Sequence, residues 1–146
     1  MGLRNLLDKE ARGPPPAYIV LHLGANDIAT MSSYKWRTEL EVVVMYLRVR
    51  YPTSTLVWSD MITRRNWRNE PVRAKAEEKR ARNQLRARAV VRKEGGASIR
   101  HNAIKCEHLA RDGVHLSQAG QDIFRRDLED GIIRIMGIME HRWEAD

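Results

Sequence analysis

Cysteine is almost missing from these 146 residues: Cys106 stands alone. No intrachain disulfide is possible, and nothing in the thiol content marks an oxidising compartment. Long hydrophobic runs are missing too. No stretch approaches the roughly 18 apolar residues that a bilayer-spanning helix needs. The opening residues, Met1-Gly2-Leu3-Arg4-Asn5-Leu6-Leu7-Asp8, are too polar for a secretory signal. The expectation is therefore an intracellular protein, cytoplasmic or nuclear. Aromatics are scarce, at 6% with a single phenylalanine, and three of the 5 prolines are spent together at Pro14-Pro15-Pro16. There is no internal repeat and no low-complexity tract. Acidic side chains are the scarcer charge, 19 against 26 lysines and arginines, for a net +7. That balance attracts polyanions, chiefly nucleic acid or anionic lipid surfaces.

What is present fits one folded domain over residues 1–146. Hydrophobic residues make up 42% of the chain and charged residues 31%, enough for a buried core and too apolar for a disordered chain. The organising stretch is residues 17–27. A short, nearly continuous apolar run there reads as a strand buried on both faces of a parallel sheet. It ends in Gly24-Ala25-Asn26-Asp27, where such sheets place their chemistry.

Upstream, Leu3, Leu6 and Leu7 share a helical face, and the proline run ends that helix. Downstream, Ser32 or Ser33 caps a helix to about Arg50, with Trp36, Leu40, Val43, Val44 and Leu47 as its apolar stripe. A second strand is expected over 55–60. An aperiodic stretch over 61–70 follows, with Arg64, Arg65 and Arg68 around Trp67. Pro71 then opens a long helix that Gly95-Gly96 closes. Its apolar side is thin (Val72, Ala76, Leu85, Ala89). Its other faces carry Arg73, Lys75, Lys79, Arg80, Arg82, Arg86, Arg88, Arg92 and Lys93. A third strand over 97–100 and a Ser117-capped helix to about Met139 complete the chain. That last helix is expected to bury Ile123, Phe124, Leu128, Ile132, Ile135 and Met136. Gly131 inside it costs about 1 kcal/mol relative to alanine. Strands alternating with helices give α/β with a parallel sheet.

Two short motifs carry chemistry. In Asp112-Gly113-Val114-His115 a carboxylate three residues from an imidazole can hold one ring nitrogen and leave the other as a general base. The plainer reading is a capped turn with a surface histidine. At the end of the first strand, Asn26 can donate to a developing oxyanion, or simply close the strand as a turn residue.

Together, in this order, Gly24-Ala25-Asn26-Asp27 and Asp112-Gly113-Val114-His115 resemble the third and fifth blocks of the SGNH hydrolases, the GDSL-type esterases and lipases. The segment Val57-Trp58-Ser59-Asp60-Met61-Ile62 and the run after His115 through Gly120 resemble the family as well. The nearest likeness is to SGNH-like domains of vertebrate retroelement-derived proteins. The resemblance covers residues 2–133 and implies a three-layer α/β/α, flavodoxin-like parallel sheet. It also implies a Ser-His-Asp esterase. Carried over by residue, His115 is the general base, Asp112 its orienting partner, and Asn26 an oxyanion donor. Gly2 matches the block-two glycine, a second donor. No cofactor is implied.

The chain departs from the family in one respect. The family's Gly-Asp-Ser nucleophile block is absent, so no nucleophile is assigned, and Ser59, on a different strand, is the nearest substitute. The expectation is an SGNH-type domain incomplete at its amino end: an inactive remnant, a partial gene model or half of a site completed by another chain. It would take a small ester if a missing segment completed it. The first strand would then have an open edge, which predicts self-association through residues 18–23. The rival reading is a basic nucleic-acid or protein interaction module, with the arginine-rich helix tracking phosphates and Trp58 and Trp67 as stacking groups. A solvated outer helix, with Glu77, Glu78 and Glu94 offsetting part of the charge, is the favoured account of those arginines. His101, Cys106, His108 and His115 match no zinc spacing, and no metal is expected.

Overall fold

The computed structural model describes residues 13–145. The helix expected over residues 3–10 and the oxyanion donor Gly2 lie outside them. Three parallel strands, β1 (Tyr18–Leu21), β2 (Thr55–Ser59) and β3 (Ala97–Ile99), form a sheet in the order β1-β2-β3. The register sets Val20 beside Val57, and Ser59 beside Ile99. Three helices connect and follow the strands: α1 (Ser33–Arg50), α2 (Arg73–Lys93) and α3 (Gln118–Ala145). The class is α/β, as the alternation of patterns predicts.

The pleat decides what each face buries. Leu56 and Trp58 of β2 pack with Leu21 against α1 and α2, in a core with Trp36, Leu40, Val44, Leu47 and Val91. Val57 and Ile99 point the other way and meet Ile135, Leu128 and Ile132 of α3. The α1 stripe is buried as its spacing predicts, and Ser32 caps the helix by accepting from the Lys35 amide at 3.1 Å. No helix among the described residues is long and apolar enough to cross a membrane.

Two helices correct the sequence reading. Val72, just before α2, and Leu85 and Ala89 within it are exposed, while Ala76, Asn83, Gln84, Ala87 and Val91 are buried. Small residues let α2 lie close to the sheet, and the Gln84 side-chain oxygen accepts from the Met61 amide. Nor are all its cations solvated. Lys79 donates to the Met31 carbonyl, Arg80 to the Met61 carbonyl at 2.9 Å, and Arg88 pairs with buried Asp60. In α3, Met136 is 42% exposed and Met139 packs in its place. Gly131 faces Ile99, where a Cβ would come within 2.6 Å of the Ile99 side chain. The mid-helix glycine is thus the price of bringing α3 against β3.

Candidate active site at the carboxyl ends of the strands

β1 leads to Gly24, whose φ of +96° favours glycine. A Cβ there would lie 2.7 Å from Cζ2 of Trp36, whose indole nitrogen donates to the Gly24 carbonyl at 2.9 Å. This contact ties the strand end to α1. It delivers Asn26, exposed, on a single 3-10 turn (Ala25–Asp27).

The aperiodic stretch after β2 binds the two motifs together. Arg64 Nη2 donates to Asn26 Oδ1 at 2.9 Å, and the guanidinium lies 5.1 Å over the Trp67 ring. Burial pulls the Arg64 pKa down, and the charge of Asp112 pushes it back up. The next residues hold the loop that carries Asp112. The Arg65 amide donates to the Gly113 carbonyl at 2.8 Å, its guanidinium reaches the Cys106 and Ala110 carbonyls at 2.9 and 2.6 Å, and Asn66 Nδ2 donates to the Asp112 carbonyl at 2.7 Å. Gly113, at φ +71°, makes this approach possible, because a Cβ there would sit 2.6 Å from Asn66 Nδ2.

Within that loop both readings of the motif hold at once. Asp112 Oδ1 accepts from the Val114 and His115 amides, each at 2.9 Å, which caps the turn. Asp112 Oδ2 bonds His115 Nδ1. The His115 bond and then the two amides hold the Asp112 carboxyl far below the ordinary carboxylate range. The His115 side chain is 82% exposed, so its Nε2 faces solvent.

No family model matches this chain, and no curated protein does.

Asn26, Asp112 and His115 are therefore brought to one end of the sheet, with Arg64 between them. Among the described residues no serine hydroxyl bonds His115. The residues weighed for zinc are dispersed: His101 bonds Asp127, His108 Nδ1 accepts from the Lys105 amide, and Cys106 Sγ accepts from Arg73. No three potential metal ligands converge among the described residues. Trp58 and Trp67 are 0% and 7% exposed, which corrects their reading as stacking platforms for bases.

Sequence reasoning missed a second constellation. Ser59 Oγ lies 2.7 Å from His101 Nε2 and 3.0 Å from His22 Nδ1, and His101 Nδ1 lies 2.9 Å from Asp127 Oδ2. One set of protons satisfies every contact. His101 donates from Nδ1 to Asp127 and accepts the Ser59 hydroxyl at Nε2, and His22 donates from Nδ1 to the Ser59 oxygen. Phe124 stacks on the His101 ring at 4.7 Å and meets the His22 ring edge-on at 4.9 Å. The signal was available. His22, Ser59 and His101 each sit at or just past the end of one strand, and parallel neighbours must bring such residues side by side.

This order of groups has the form of a catalytic triad, but not the surroundings. Ser59 is fully buried. The neighbouring amides that could meet an oxyanion are engaged, Asp60 with the Ile99 carbonyl and Met61 with Gln84. It is a polar tie between the strand ends and α3.

Proposed function

We propose that the chain is an SGNH-type ester hydrolase domain, retroelement-derived in kind, in which Asp112 and His115 form the base and Asn26 is the oxyanion donor. One observation carries the reading: Arg64 bonds Asn26 while the adjacent Arg65 and Asn66 bond the Gly113 and Asp112 carbonyls, so one stretch after β2 ties both motifs together. In this reading helices on both faces of the sheet are the outer layers of an SGNH-type α/β/α fold.

The chemistry follows from atom roles. His115 Nε2 takes the proton of an attacking hydroxyl, while Asp112 holds the Nδ1–H and stabilises the imidazolium that forms. Asn26 Oδ1 is occupied by Arg64, so Nδ2 is the amide atom left to donate to the tetrahedral oxyanion. With no serine hydroxyl on His115 among the described residues, the hydroxyl within reach is water. The expected hydrolysis is weak, on the order of 10³ above the uncatalysed rate. A chromogenic short-chain ester tests it. The expected result is slow turnover that His115→Ala and Asn26→Ala each reduce. Turnover that both variants leave intact, or none above the buffer rate, overturns the reading.

A further inference from the structure

The far edge of the sheet offers a different surface. β3 pairs with β2 on one side, and its other side opens on a cleft of about 560 Å³ between α2 and α3. Arg88 and Arg92 enter this cleft from α2, Arg100 from the residue after β3, and Arg134 from α3. Asp127 and Asp130 complete its charged lining.

The partners of these groups decide the sign of the cleft. Arg88 is held by the buried Asp60 carboxylate, whereas Asp127 accepts from a neutral His101 ring and keeps its charge. Arg134 donates to the Ser98 carbonyl at 2.9 Å, a neutral acceptor that leaves its charge uncompensated. Arg92 and Arg100 are exposed and bond no carboxylate among the described residues. Three arginines thus face two carboxylates, Asp127 and Asp130, and the cleft keeps one excess positive charge. Arg82, Arg86 and Lys93 of α2 are exposed as well, but on a flank of the helix turned away from the cleft.

Two features define the anion. An extended acidic peptide adding to the sheet needs the outward carbonyls of β3, and Arg134 already occupies that of Ser98. No aromatic side chain lines the cleft, and Trp58 and Trp67 are buried, so nothing here stacks a base. What remains is guanidinium chemistry, whose planar fork matches phosphate oxygens. We propose that the α2–α3 cleft at the β3 edge binds the phosphodiester backbone of single-stranded nucleic acid and does not read its bases. The site is separate from the Asn26–His115 end and independent of the hydrolase reading.

Fluorescence anisotropy of the whole chain with a labelled single strand of about 20 nucleotides tests this. Neutralising three phosphates predicts a log–log salt slope of roughly −2 between about 50 and 200 mM salt. The Arg92→Ala/Arg100→Ala variant removes two contacts. It is expected to weaken binding roughly 25-fold at about 0.1 M salt and to flatten the slope to about −0.7. Both residues are exposed, so the variant is expected to keep the wild-type thermal melt, and Arg92→Lys/Arg100→Lys to keep most of the slope. The control Arg68→Ala/Arg111→Ala removes two exposed cations outside the cleft and is expected to bind like wild type. An equal loss in that control, affinity insensitive to salt, or strong preference for one homopolymer overturns the proposal. So does poly-glutamate competing as well, charge for charge, as the oligonucleotide.

Discussion

Arg64 and Asn26, 38 residues apart in the chain, are joined by a 2.9 Å hydrogen bond from guanidinium to side-chain amide oxygen. The bond fixes which amide atom of Asn26 faces the solvent side of the site. Burial lowers the pKa of the same guanidinium, and the charge of Asp112 acts against that and raises it.

Arg64→Met is therefore expected to lower ester turnover, because Asn26 loses the contact that orients it. One exposed hydrogen bond and its ring stacking are worth about 1–2 kcal/mol, or roughly tenfold in rate. Arg64→Lys should recover little, since an ammonium lacks the planar fork that meets the amide and lies over Trp67. The check is a double-mutant comparison. If Arg64 acts through Asn26, the Arg64→Met/Asn26→Ala double variant is no slower than Asn26→Ala alone.

Asp112 makes a prediction about pH. Its folded pKa is depressed, by the His115 bond first and the Val114 and His115 amides next. A depressed carboxyl favours the folded loop above the ordinary carboxylate value, about 4, and that contribution is lost as pH falls further. Because the group is exposed, the effect is local rather than global. A carbon-detected NMR titration should show the Asp112 side chain still ionised well below the ordinary carboxylate value. His115→Ala should move its midpoint up toward the ordinary value. An unchanged midpoint in the variant would sink the assignment of His115 as the main cause.

The Ser59 tie predicts stability, not catalysis. Ser59→Ala strands the buried His101 Nε2 without a partner, which costs about 1–3 kcal/mol in urea unfolding. A fluorophosphonate probe should leave Ser59 unlabelled. Its neighbour His22, exposed and so of small effect on stability, has a pKa lowered by desolvation first and by His101 second, against Ser59 and Asp60. The unfolded chain therefore takes up the proton first, and stability falls as pH drops below the ordinary histidine value of about 6.5. His22→Gln should flatten the urea midpoint between about pH 7.5 and pH 5.5. Labelling of Ser59, or an unaltered pH profile, would contradict this account.

Much of this arrangement was legible in residue order. The α1 stripe, its Ser32 cap and the three strands follow from periodicity and turn chemistry that act within a few residues. So does the Asp112–His115 contact, since three residues around a glycine close on themselves. What was not legible depends on distant partners. Arg64 sits in a stretch without a period, and only the approach of two other loops gives it a role. The buried face of α2 misled because it packs through alanines and side-chain amides, which carry no hydrophobic pattern. Trp58 and Trp67 read as candidates for stacking because the arginines near them in sequence suggest a phosphate-binding surface. Packing against Trp36 in one case and under Arg64 in the other buries them.

β1 carries the last prediction. Among the described residues it pairs with β2 alone, so its other edge presents free amides and carbonyls. Val20, in the middle of that strand, is 39% exposed, which adds apolar surface beside the open edge. Such an edge is a template for a second strand. The chain is expected to self-associate, with weight-average mass by light scattering rising with concentration. Val20→Lys puts a charge on the strand at the point where a partner would pack, the device by which natural edge strands resist pairing. It should shift association to at least roughly tenfold higher concentration, since desolvating a lysine at the contact costs more than about 1.4 kcal/mol. Because Val20 already reaches solvent, the fold should tolerate the change, and cooperative unfolding of the variant verifies that it does. A wild-type chain that stays monomeric at high concentration and unfolds cooperatively would show that this edge is closed by other means.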